Sequence, residues 1–249
     1  EKPLALSLPD ARAIIRACRE HGVVLMVGHV LRFVPEYAAV RRLVASGSLG
    51  APKVIRLSRG GAFPDWSTDG WFADPARSGG PLVDLAIHDF DFLRWVFGPV
   101  RRVYARSLTG RWQGFDYALA VVRLASGAVA HVEANWAAPP GTPFTTTLEV
   151  AGTEGLYTST NQDFPLVVRV RDVSGNPALE SPLPVDIEPY AAELRAFVQA
   201  VRARSSPPVT GEDGLEALRI ALAAAESART GRPVDVPGEP DAAGEGEAA

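Results

Sequence analysis

The sequence begins with an amphipathic helix signal followed by a solid apolar run. Ser7-Leu-Pro-Asp10 reads as a helix start: Ser7 can cap, Asp10 takes the reciprocal capping position, and Pro9 is tolerated in the first turn. Ala11, Ile14, Ile15 and Cys18 then recur on one helical face, and Gly22 supplies the stop. Residues 23–29, VVLMVGH, lack polar alternation, as does a strand buried on both faces of a parallel sheet. Helix and buried strand are half of a βαβ arrangement, so residues 1–29 are expected to close a doubly wound domain whose earlier part precedes Glu1.

Beyond Gly28 the pattern changes. Residues 35–47 read as an amphipathic helix with a glycine stop, and residues 53–60 as a half-buried strand. Residues 61–80 form a polar, aromatic and glycine-rich loop, and residues 80–97 a strongly apolar helix. Alternating segments at 101–109, 115–124, 128–136, 144–151 and 165–172 predict strands, with Ser126-Gly127 as a tight hairpin turn. Helices at about 188–204 and 211–230 close the pattern, the latter with Thr210 and Asp213 as a capping pair. The fold class that follows is α/β, in its second part α+β. The remnant of a doubly wound domain (1–29) precedes a domain with an open, mainly antiparallel sheet packed on helices (30–236), then an acidic disordered tail (237–249).

Composition narrows the function classes. The chain has 249 residues and a formal net charge of -4, which argues against nucleic acid or an anionic membrane as partner. No apolar run reaches the roughly 20 residues of a spanning helix. The single cysteine, Cys18, fits a reducing compartment, and the cytoplasm is expected.

The densest chemistry lies in SGGPLVDLAIHDFDFLRW, residues 78–95. Gly79-Gly80 lets the chain bend before the helix. Asp84, His88 and Asp91, at i, i+4 and i+7, are expected on one helical face, with Asp84 holding the tautomer of His88 and raising its basicity. One ionisation between about 6 and 8 is expected from such a partnered histidine. The same three residues could be an ordinary helix-face ion pair, or ligands of a metal in a lyase or isomerase. Lys2, whose backbone Pro3 biases toward extension, would sit at the carboxyl end of a preceding strand, where α/β folds bind ligands. His29 ends the buried run in an equivalent place. Arg32 and Tyr37 follow it as anchors or ligands. The loop at 59–75, which includes Trp71, is aromatic enough to cover a ring-shaped ligand. Asn135-Trp136 ends a strand of the same sheet, and His131 reads as structural.

EKPLAL, GHVLRFVPEY, GWFADPARSGGPLVDLAIHDFDFLRWVFG and VTGEDGLEALRIALAAAESARTGRPV occur in that order. Together they resemble the glucose-fructose oxidoreductase/inositol dehydrogenase (Gfo/Idh/MocA) family over about residues 1–236. The resemblance implies an NAD- or NADP-dependent oxidoreductase acting on sugars, inositols or related polyols, and a homo-oligomer formed through the sheet face. It implies that Lys2, Asp84 and His88 are catalytic, with His88 the proton acceptor. Asp91, Leu31, Arg32 and Asn135 are expected on the substrate side, and Lys2, Pro3, His29 and Trp71 on the cofactor side; no metal ligand is implied. The family's glycine-rich fingerprint is expected upstream of Glu1. A non-catalytic binding or assembly module of the same fold is the competing reading.

Overall fold

In the computed structural model, residues 1–67, 69–108, 116–162, 167–182 and 188–237 are described. The expected tail lies outside them, apart from Pro237. Helix α1 (Leu8–Glu20) starts where expected, the Ser7 hydroxyl accepting from the Asp10 N–H at 3.3 Å. A 3-10 turn (Val30–Phe33) leads into α2 (Pro35–Ala45) and strand β1 (Pro52–Ala62). The short α3 (Pro75–Ser78) and a wide π turn (Pro81–Leu85) precede α4 (Ile87–Phe97). Strands β2 (Val100–Leu108), β3 (Tyr117–Leu124), β4 (Val129–Ala138), β5 (Thr145–Gly152), β6 (Gly155–Thr160), β7 (Val167–Asp172) and β8 (Pro177–Pro182) follow. Helices α5 (Pro189–Ala203) and α6 (Gly211–Thr230) and the two-residue β9 (Val234–Asp235) complete the order.

The described strands form one nine-stranded sheet in the order β8-β7-β6-β5-β1-β4-β3-β2-β9. Only the central β1–β4 pairing among them is parallel; the others are antiparallel, as the alternating segments imply. Strands β6, β8 and β9 were not anticipated from the sequence, being short and carrying weak alternation.

Period-2 alternation sends Ile55, Leu57, Val103, Val122, Val132 and Val150 inward, each at most 2% exposed. Many of their neighbours are small: Ala105, Ala118, Ala120, Ala130 and Ala134 are fully buried on the sheet, as are Ala217, Ala221 and Ala224 on α6. Small residues on both surfaces let α6 approach β2 closely enough for the Ser227 hydroxyl to accept from the Ala105 N–H at 2.9 Å. The opposite sheet face stays open, with Tyr104, Leu119 and Val121 more than a third exposed.

Two expectations fail. Residues 23–29 do not form a strand. A strand exists by pairing, and no described strand runs beside this segment; its one backbone bond to a distant residue runs from the Val27 N–H to the Val209 carbonyl at 3.3 Å. Burial along it is graded: Val23 is 57% exposed, while Val27 is 1% exposed and packs where a Cβ on Gly214 would stand 2.7 Å from its Cγ2. The helix expected at 80–97 is also interrupted, because the Ala86 N–H bonds the Pro81 carbonyl five residues back at 2.7 Å.

At the start of α6 the capping pair is reciprocal: the Asp213 N–H donates to the Thr210 hydroxyl, and the Thr210 N–H to the Asp213 carboxylate. The same carboxylate accepts from Arg32 at 3.2 Å and Arg94 at 2.8 Å, tying the 3-10 turn and α4 to α6. Burial alone would raise the Asp213 pKa, but the Thr210 N–H and the two guanidiniums bring it down to about 2. The folded state thus holds a carboxylate that the unfolded chain protonates more readily. Its stabilisation is complete above the unfolded value near 3.8 and is lost as the pH falls toward 2. Replacing Asp213 by Ala is expected to cost about 3 kcal/mol in urea unfolding near neutral pH. The gap between variant and parent should narrow as the pH approaches about 2.

Candidate active site

Lys2, Asp84, His88 and His29 meet where the N-terminal segment crosses the start of α4. Gly79 and Gly80 turn the chain with positive φ of 74° and 70°, and a Cβ on Gly79 would stand 2.6 Å from the Val83 Cβ. That turn opens the π turn, which holds Asp84 at 5% exposure. The Lys2 ammonium donates to the Asp84 carboxylate at 2.8 Å and to the Asp84 carbonyl at 2.5 Å. Lys2 and Pro3 are half-buried and joined by a cis peptide bond.

The expected pairing of Asp84 with His88 is overturned. The π turn covers Asp84 and ends before His88, so the two do not share one regular α-helix. Asp84 bonds Lys2 instead, and Nδ1 of His88 is buried without a hydrogen-bond partner. Burial, then the positive charges of Lys2 and Arg59, then His29, push the His88 pKa well below 6.5. His88 is therefore a neutral imidazole at neutral pH, its pKa below the range expected of a carboxylate-partnered histidine. The residue as a whole keeps partial exposure to solvent.

His29, fully buried, stands edge-on to His88 with ring centroids 6.4 Å apart, and neither of its ring nitrogens has a partner. Burial lowers its pKa as well.

A pair the sequence reading did not single out lies beneath. Arg59 on β1 binds Asp89 of α4 through two hydrogen bonds of 2.5 and 2.6 Å and donates to the Tyr37 hydroxyl at 3.0 Å. Arg59 and Asp89 are 4% and 1% exposed. Burial would lower the Arg59 pKa; the Asp89 carboxylate reverses this and keeps the guanidinium charged. Tyr37 is pushed up to about 12 by burial. A signal was available: Arg59 shares the inward phase of Ile55 and Leu57, where an arginine needs a buried counterion.

The remaining candidates separate from this cluster. Asp91, fully buried, binds Arg32 at 2.6 and 2.9 Å, and the third Arg32 nitrogen reaches Asp213 and the Pro208 carbonyl. Arg32 is thus a tie between elements, with all three nitrogens engaged by protein. Leu31, 7% exposed, belongs to the hydrophobic core. The Asn135 carboxamide oxygen accepts from the Ala137 N–H at 2.7 Å, and Asn135 pairs with Gly60, whose missing Cβ permits the close approach. Trp71 stacks on Phe72 at 3.8 Å, and Phe72 meets Trp66 and Trp136. Among the described residues, no group of three His, Cys, Asp or Glu side chains could hold a metal ion.

Residues 37–158 match the GFO/IDH/MocA C-terminal domain. The 1,5-anhydro-D-fructose reductase of Ensifer adhaerens is 35% identical over 246 residues, covering 95% of this chain and 71% of that protein. The scyllo-inositol 2-dehydrogenase (NAD(+)) of Bacillus subtilis is 31% identical over 95% of this chain and 69% of its own length. Among solved structures, an oxidoreductase from Agrobacterium radiobacter in complex with NAD+, L-tartaric acid and magnesium superposes with a TM-score of 0.79. It is 28% identical, and the match covers 94% of this chain and 71% of that one.

Two outcomes follow from the charges in the site. Because Lys2 depresses the His88 pKa, Lys2→Met should raise the His88 midpoint in an NMR titration of the imidazole. Asp89→Asn leaves Arg59 buried and uncompensated, and should cost about 3–5 kcal/mol in denaturant unfolding.

Proposed function

The chain belongs to the GFO/IDH/MocA family, and from that membership we propose an oxidoreductase that uses NAD or NADP to interconvert an alcohol and a carbonyl carbon of a sugar, inositol or related polyol. The observation that carries the reading is the Lys2–Asp84 contact beside a neutral, half-buried His88. The relatives' names support the substrate class: one reduces a keto-sugar derivative and another oxidises an inositol.

The residues present fit one end of such a cofactor. His29 offers buried nitrogens without protein partners, and Lys2 and Pro3 keep the cofactor-side role given above. When bound, the nicotinamide supplies the hydride acceptor or donor. In oxidation, His88 takes the hydroxyl proton on Nε2 as the carbon loses hydride, and in reduction it returns that proton. Asp84 keeps the Lys2 ammonium in place, where its charge favours the developing alkoxide. Asp91 and Arg32 act at one remove by fixing the 3-10 turn against α4. Trp71 and Asn135 keep the cofactor and substrate roles given above. Residues 1–29 belong, on this reading, to the nucleotide-binding unit, residues 30–236 to the substrate domain, and residues 237–249 to a tail.

We further propose that two copies associate through the open sheet face, where Tyr104, Leu119 and Val121 lie exposed among Arg106, Arg123, His131 and Glu133. An unpaired cysteine, Cys18, supports the cytoplasm as the compartment.

In the active enzyme, His88→Ala should lower kcat by about 10² to 10⁴ with a much smaller change in KM. Lys2→Ala and Asp84→Asn should lose rate as well, and the Lys2→Ala residue of activity should rise at high pH as solvent base substitutes. Near-normal turnover in His88→Ala would remove His88 from the chemistry. Sedimentation should report a dimer or larger assembly for the parent and a smaller species for Val121→Asp.

A further inference from the structure

The buried histidine at the start of the 3-10 turn was placed beside the cofactor, but it has no part yet in the proton transfer. Both His29 nitrogens lie at zero exposure with no partner in the protein, and its nearest aromatic neighbour is the ring of His88. Two orphaned nitrogens on a buried ring need an explanation, because desolvating them without a bond is costly. The Nδ1 of His88 is orphaned in the same way. Asp84, the group that would otherwise hold that nitrogen, is spent on Lys2.

We propose that His29 is the positioning residue for His88, fixing its tautomer through one ordered water held between the two rings. With centroids at 6.4 Å the rings stand edge to face, too far for a direct hydrogen bond of about 2.7–3.2 Å. A single water spans a gap of that kind. Buried waters usually make about three hydrogen bonds. His29 and His88 supply two, and the third N–H of the Lys2 ammonium supplies another, since two are given to Asp84. The positive charge of Lys2 lowers the pKa of both imidazoles. The other charges that act on His29 are Asp91, Arg32 and Asp213; those on His88 are Lys2, Arg59 and His29. Among these charged neighbours, Asp91 is held by Arg32, Arg32 by Asp91 and Asp213, and Arg59 by Asp89. In this arrangement the water accepts from the Lys2 N–H and from Nδ1–H of His88 and donates to the bare nitrogen of His29, so the proton of His88 stays on Nδ1 and Nε2 is the acceptor toward substrate.

This inference rests on reading His88 as the proton acceptor, and its test separates the two. Ring ¹⁵N NMR of histidine-labelled protein near pH 7.5 reports the tautomer directly, with the exposed His21 and His131 as references. In the parent, His88 should show two well-separated nitrogen shifts, those of a single tautomer. His29→Phe should collapse them toward an average, while His29→Asn, which can still hold a water, should keep most of the separation. Asp84→Asn should leave the His88 tautomer fixed. The idea is overturned by an averaged tautomer in the parent, by a fixed one in His29→Phe, or by averaging in Asp84→Asn. Should His29→Phe fail to fold, the parent and Asp84→Asn spectra decide. In the active enzyme, His29→Phe should lower kcat roughly 10- to 100-fold, as loss of a group that orients a reacting imidazole does. Lost turnover with the tautomer intact rejects His29 as the positioning residue yet spares His88 as acceptor. An averaged tautomer with full turnover instead rejects His88 as the acceptor.

Discussion

Three carboxylates on one apolar segment, each buried, set the arrangement around them. Asp84, Asp89 and Asp91 lie within eight residues and are at most 5% exposed. A buried carboxylate without a counterion is too costly to keep ionised, so each recruits one cation from a distant part of the chain. Lys2 comes from the N-terminal segment, Arg59 from the central strand and Arg32 from the 3-10 turn. These pairs contribute less to net stability than to specificity, since each buried carboxylate meets its cation in one arrangement of the chain, and Arg32 is tied to Asp213 as well. The N-terminal segment, β1 and the 3-10 turn are thereby fixed against the start of α4.

The same pairing leaves His88 neutral. Once Lys2 and Arg59 are fixed, their charges stand beside an imidazole that has no carboxylate of its own. Desolvation and like charge then act in one direction, and the ring stays unprotonated at neutral pH. A proton accepted there is not held strongly, so the site suits transfer in both directions better than permanent protonation. The general principle is familiar: acid and base roles are set by environment rather than by residue type.

Much of the fold was legible because it rests on local signals. The reciprocal Thr210–Asp213 cap, the Ser126-Gly127 hairpin and the alternation of β2 to β5 depend on neighbours in sequence and were readable as such. The run at 23–29 was misread for the opposite reason. Its apolar composition is a real strand signal, but pairing is a property of partners, and no described strand runs beside it. The site divides the same way. Asp84, His88 and Lys2 were legible as residue types in a motif, whereas the Asp84–His88 contact was not. A π turn in place of a regular helical turn, invisible to periodicity, changes which side chains face each other. The Arg59–Asp89 pair links residues thirty positions apart, and only the inward phase of Arg59 hinted at it.

The π turn reconciles these two outcomes. A regular helix would put Asp84 and His88 in contact, and the carboxylate would then hold the imidazole charged by direct attraction. Here the π turn interrupts that helix, Asp84 goes to Lys2, and His88 has no fixed counterion. The local irregularity carries a cost, since a π turn has poorer hydrogen-bond geometry than an α-helix. Gly79 and Gly80 make it reachable, with positive φ angles that few other residues adopt, and Pro81 opens it without an N–H to satisfy. Thus the glycine pair does more than bend the chain. It opens the turn in which the buried carboxylate meets Lys2, beside a histidine that burial and that lysine keep neutral.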